Sequence, residues 1–115
     1  MKKSERENGQ GAIRRELRRI IQRLVHNYKP EQIILFGSMA NGHLHRWSDI
    51  DLAIVKKTKR RFLDRLSDAL LKANPKEALD VLVYTPKEVQ SMEQQGNPFW
   101  LHEIKSKGKI LYQRG

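Results

Sequence analysis

The chain has 115 residues, enough for one domain with a modest core, and 38% of them are hydrophobic. It contains no cysteine, which excludes a disulfide framework and thiolate metal sites, and no apolar run of the ~18 residues that a membrane span needs. The net charge is +10, with nine Lys/Arg against three Glu in residues 1–30. Such a segment suits nucleic acid, an acidic partner or nucleotide, and a solvated helix face accounts for it equally well. Met1-Lys2-Lys3-Ser4-Glu5-Arg6-Glu7 leads into no hydrophobic segment, so no secretory signal is expected and the cytoplasm is the default.

Residues 1–11 are polar and read as a flexible lead-in to a single domain over 12–115. Over 12–28, Ile13, Leu17, Ile20, Ile21, Leu24, Val25 and Tyr28 recur at helical spacing. Arg14, Arg15, Arg18, Arg19 and Arg23 take the other side, giving an amphipathic helix with an arginine face that Lys29-Pro30 ends. Gln32 to Phe36 predicts a strand, and Ser38 to Gly42 a short helical turn. Asp49 to Lys57 alternates, with Ile50, Leu52 and Ile54 toward a core and Asp49, Asp51 and Ala53 on the other face. A basic connection, Lys56-Lys57-Thr58-Lys59-Arg60-Arg61, precedes a helix that carries Phe62, Leu63, Leu66, Ala69, Leu70 and Ala73 on one face and stops at Asn74-Pro75. Glu77 to Tyr84 predicts a third strand. Thr85-Pro86-Lys87-Glu88 is a helix start with Thr85 as cap, leading to about residue 95. A further helix runs through Lys107 to a stop at Gly108, and 109–113 forms a last strand. Strands alternating with helices make an α/β domain. The linker between the first two strands holds no full-length helix, so those strands are expected to be antiparallel in a small mixed sheet flanked by helices.

Asp49, Asp51 and Asp80 all fall in strands, where aspartate is disfavoured. Asp49 and Asp51 project to one face. Carboxylates about 6 Å apart repel by roughly 3 kcal/mol at an effective dielectric of 20. A divalent cation converts that repulsion into ligation, and oxygen donors suit Mg²⁺. The structural alternative for each is an exposed strand edge. Gly37-Ser38 follows a buried strand and lets a phosphate approach the backbone, or else simply caps a helix. Gly37 and Gly42 have the spacing of a P-loop, but His43-Leu44 stands where Lys-Ser/Thr is required, which excludes it. Zinc at the His43/His45 pair is disfavoured against a polar loop, and His26 and His102 have no zinc spacing. Trp47, Phe99 and Trp100 read as packing residues, and Lys59, Arg60 and Arg61 as a solvated charge run in preference to phosphate ligands.

Gly37-Ser38, ten residues, and then Asp49-Ile50-Asp51 resembles the signature of the DNA polymerase β-like nucleotidyltransferases. The context Leu35-Phe36-Gly37-Ser38, Ala40, Gly42 and Trp47-Ser48-Asp49-Ile50-Asp51-Leu52 is similar to the minimal nucleotidyltransferase (MNT) branch, and the likeness extends over most of 12–113. The resemblance implies a mixed sheet with flanking helices and transfer of a nucleoside monophosphate from an NTP, with release of pyrophosphate. It implies that Asp49 and Asp51 bind Mg²⁺, that Asp80 is the third carboxylate and assists deprotonation of the acceptor, and that Gly37 and Ser38 hold the triphosphate of ATP. Members of this branch often act as antitoxins that adenylylate a tyrosine of a HEPN-type ribonuclease toxin. The small chain leaves little room for an acceptor-binding domain, so the acceptor is expected from another protein. Asn41 departs from the family, which commonly has Arg there, and this bears on rate or nucleotide affinity rather than on the metal site.

Two rivals remain at this level. One is adenylylation of a small molecule such as an aminoglycoside, whose enzymes usually carry an extra helical domain. The other is a non-catalytic module whose basic helix binds an acidic partner or RNA. Homo- and hetero-oligomers both remain open; a membrane partner is not expected.

Overall fold

The computed structural model describes residues 2–42 and 49–115, with side chains from residue 11 onward within those ranges. The His43/His45 pair, Trp47 and most of the linker before the second strand lie outside the described residues. The elements are helix α1 (Lys2–Asn27), strand β1 (Gln32–Phe36), a single turn α2 (Gly37–Ala40), β2 (Ile50–Val55), α3 (Phe62–Ala73), β3 (Leu79–Tyr84), α4 (Pro86–Gln94), α5 (Phe99–Ser106) and β4 (Lys109–Gln113). The order follows the sequence reading closely. Helix α1 begins at Lys2 rather than at residue 12, because no proline interrupts the polar stretch and helix propagates cheaply once nucleated. Helix α5 is wound as a π-helix, with Lys107 N–H bonded back to the carbonyl of His102.

The four strands lie in the order β3-β2-β1-β4. The β1–β2 pair is antiparallel, as the short linker predicts, while β2 and β3 are parallel and joined through α3. β4 adds antiparallel to β1, with an irregularity between Ile33 and Ile34.

Both faces of this sheet are covered. On one, Ile33, Leu35, Ile50, Leu52, Ile54, Val81 and Val83 pack with Ile13, Ile20 and Leu24 of α1 and Ala69 and Ala73 of α3. On the other, Ile34, Ala53 and Val55 pack with Trp100 and Ile104 of α5, with Phe36, Leu82, Tyr84, Val89 and Met92 around them. This second cover is the reason α4 and α5 exist. It bears out the packing role of Trp100, and places the half-exposed Phe99 edge-on to Phe36 with ring centroids 5.8 Å apart. Gly108 ends α5 where a side chain would overlap the Ile104 carbonyl and come within 2.8 Å of Ile34 Cγ2.

The arginine face of α1 is only partly a solvated surface. Arg23 Nε donates to the carbonyls of Lys72 and Ala73 at 3.1 Å, and Arg19 to that of Asn74 at 2.6 Å. These are the unsatisfied carbonyls at the end of α3, where a cation is favoured. Glu16, buried on the same helix, accepts a forked pair from Arg19 and the backbone N–H groups of Lys76 and Glu77. Hydrogen bonding to Arg19 holds its carboxyl below the usual carboxylate range, against the opposing effect of burial. The result pins α1 to the segment that leads into β3.

Candidate functional site

The second face of the sheet is closed by α5 over Ala53 and Val55 but opens where β2 begins. There Asp51 is half-buried and Asp49, two residues earlier, is exposed. The parallel register sets Asp80 of β3 directly beside Asp51, and their carboxyls come within hydrogen-bonding reach. Burial pushes the Asp51 carboxyl up to about 6, with the negative charges of Asp80 and then Asp49 adding to it. Both of the other sequence-predicted carboxylates therefore act on Asp51. Asp80 joins them through strand pairing across about thirty residues of chain, which spacing alone does not reveal.

Gly37 forms the other wall. On β1, Phe36 pairs with Asp51, so the chain turns into α2 immediately above that carboxylate. Gly37 has φ +76°, in the left-handed region, and a Cβ placed there would overlap Asp51 Oδ2 and sit 3.1 Å from Cγ. Both conditions call for glycine. Ser38 is exposed next to it, while Met39 and Ala40 are buried and anchor the turn to the core. Asn41 closes α2 with its N–H on the carbonyls of Gly37 and Ser38 at 3.3 and 3.2 Å; its side chain is exposed.

The site's chemistry is that of oxygen donors. Among the described residues, Asp49, Asp51 and Asp80 take part in no ion pair, and no group of three or more His, Cys, Asp or Glu is arranged to hold a metal ion. The half-buried Asp51 beside the exposed Asp80 fits an open site for a hard divalent ion, which commonly takes one or two carboxylates and completes its shell with phosphate and water. The donor set fits Mg²⁺ better than zinc.

The basic run Lys59-Arg60-Arg61 lies past the opposite end of β2. From Asp51 to Val55 at its end the strand advances roughly 13 Å. Arg60 is spent on Asp68, Nε to Oδ2 at 2.8 Å. The sequence reading missed two further features: the clamp at Glu16, and Arg65, a buried cation that donates to the carbonyls of Arg60 and Val83 and to Glu88. Glu88 also completes the expected capping box with Thr85. A buried Arg on an otherwise apolar helix face, with an acid at the start of the next helix, is the only signal for that pair. No described helix is long and apolar enough to cross a membrane.

The family described as "Polymerase beta, Nucleotidyltransferase" matches residues 18–115. No curated protein matches the chain. Among solved structures, a Sulfolobus solfataricus protein assigned by inference as a nucleotidyltransferase is similar at a TM-score of 0.65 and 17% identity, over 92% of this chain and 85% of that one. A toxin–antitoxin structure with AMP-PNP is similar at a TM-score of 0.52 and 23% identity, over 84% of this chain and 73% of that one. At these identities both speak to the fold.

Proposed function

Because the chain belongs to the polymerase β nucleotidyltransferase family, we propose that it transfers AMP from ATP to a hydroxyl of a partner protein, with Mg²⁺ held by Asp49, Asp51 and Asp80. The observation that carries this reading is the pairing of Asp51 with Asp80 beneath Gly37, a glycine required by both backbone and space. The bound divalent cation supplies charge neutralisation for the triphosphate and the departing pyrophosphate. Gly37 and Ser38 hold the β- and γ-phosphates, which the missing Cβ admits close to the backbone. The acceptor oxygen forms a bond to the α-phosphorus while the bond from that phosphorus to the bridging oxygen breaks, and pyrophosphate leaves. Asp80, exposed at the rim, takes the hydroxyl proton. Positioning and charge account for most of the catalysis in such reactions.

The partner is a toxin, and this chain its antitoxin. The likeness to a chain solved in a toxin–antitoxin structure with an ATP analogue supports that choice. The MNT resemblance supports a finer one, a tyrosine of a HEPN-type ribonuclease. Asn41 in place of arginine removes a cation from the phosphate side and lowers nucleotide affinity. The test is incubation with ATP labelled at the α-phosphate, Mg²⁺ and the protein encoded beside this one. Transfer of label to a tyrosine that is lost in Asp49→Ala/Asp51→Ala supports the reading; transfer that survives the double substitution overturns it.

A further inference from the structure

At the far end of the sheet from the carboxylates, the carboxy-terminal ends of β2 and β3 and the start of α4 enclose a cavity of about 600 Å³. Lys57, Thr58, Lys59, Thr85, Lys87 and Gln90 line it. No carboxylate does. Among the described residues, none of the three lysines forms an ion pair, and Glu88 and Asp68 nearby are engaged by arginines. Glu88 is held by Arg65 at 2.8 Å and by the Thr85 N–H at 2.8 Å, and Asp68 by Arg60. Thr58 and Thr85 each accept from a backbone N–H, leaving their hydroxyl protons to donate. Three ammonium groups around one concavity repel one another, and an anion relieves that repulsion.

Aromatic surface adjoins it. Tyr84, immediately before Thr85, and Phe62, just after the basic connection, line a second hollow of about 260 Å³ with Ser91, Met92, Gln95 and Glu88, whose carboxylate is held by Arg65. Their rings lie 6.0 Å apart, and Phe62 is 37% exposed. A cationic groove beside a partly exposed aromatic ring, that of Phe62, suits a ligand with both phosphates and bases. An acidic peptide would use the lysines and leave the rings idle. We propose that this end of the sheet, where Lys57, Lys59 and Lys87 face a common cavity beside Phe62 and Tyr84, binds the backbone and bases of single-stranded nucleic acid. The inference is independent of the transfer reaction, whose carboxylates lie at the other end of β2.

The test is fluorescence anisotropy with a labelled single-stranded RNA of about 12 nucleotides, in EDTA so that the carboxylate end carries no metal. Lys57→Gln/Lys59→Gln/Lys87→Gln is compared with Arg14→Gln/Arg15→Gln/Arg18→Gln, which removes the same charge from exposed positions on α1. The lysine triple is expected to bind at least about tenfold more weakly, with a salt slope smaller by about 2, and the arginine triple to change far less. Phe62→Ala is expected to weaken binding several-fold. Absence of binding by the unsubstituted protein overturns the proposal, as does an equal loss in both triples, which would mean net charge alone. Deca-glutamate displacing the RNA at lower concentration than unlabelled RNA overturns it in favour of an acidic protein segment.

Discussion

Replacing Asp51 by asparagine should stabilise the metal-free protein while destroying its capacity for catalysis. The Asp51 carboxyl is pushed from 3.8 to about 6 by burial and by the charges of Asp80 and Asp49. At 1.36 kcal/mol per unit, that shift corresponds to an upper bound of about 3 kcal/mol of strain in the ionised form. Asp51 is only half-buried, so solvent screening reduces this to on the order of 1 kcal/mol. A folded-state value above the unfolded one means the native state binds more protons between them. The Asp51 contribution is therefore least unfavourable below about pH 4 and becomes a cost as pH rises through 6. Asparagine resembles the protonated acid in shape and charge and should remove that cost. In EDTA at about pH 8, Asp51→Asn should raise the melting temperature by about 4 °C for a domain of this size. Near pH 4 the two proteins should melt together. Calorimetry or denaturant unfolding at both values checks it. A lower melting temperature for the variant at pH 8, or an equal difference at both values, would refute the electrostatic account of this site.

Two further outcomes follow from named contacts. Gly37→Ala should cost about 1–2 kcal/mol from its left-handed backbone and displace the Asp51 carboxyl, so that nucleotidyl transfer drops by more than about tenfold. Gly96→Ala has a similar φ of +68° and open space around it, and should show a comparable stability loss with transfer retained; equal transfer in both variants would remove Gly37 from the site. Glu16→Gln should cost on the order of 2 kcal/mol at pH 7 by breaking the forked bond to Arg19. Because Glu16 titrates below its ordinary value, its stabilisation is present above about pH 4.5 and lost in acid. The difference between the two proteins in urea unfolding should therefore shrink as pH falls, and a difference that grows would contradict the assignment.

Much of this was legible in the sequence because local rules decide it. The 3.6-residue spacing in α1 and α3, the capping box at Thr85 and Glu88, and the prolines after α1 and at the first position of α4 each act within a turn or two. The antiparallel β1–β2 pair follows from a linker too short for a crossover. Asp80's place beside Asp51 is different in kind: it depends on the register of two parallel strands, fixed by the packing of α3. The same holds for Lys87, which meets Lys57 and Lys59 only because α4 starts where β2 ends. The arginine face misleads because a cation's partner at the end of α3 is a carbonyl, and carbonyls carry no residue-type signal. Burial of both sheet faces is hidden for a related reason. Ala53 beside Asp51 looks like the polar side of an alternating strand, and only Trp100 and Ile104 from a distant helix make it core.

The central claim is that the carboxylates at the start of β2 and β3 bind nucleotide through a divalent cation. Isothermal titration with a non-hydrolysable ATP analogue, with Mg²⁺ and then with EDTA, tests it on the unsubstituted protein and on Asp51→Asn. The account predicts binding in Mg²⁺ that weakens at least about tenfold in EDTA and equally in the variant, a loss typical of removing a charged partner. Binding of the same strength in all of these conditions would contradict it.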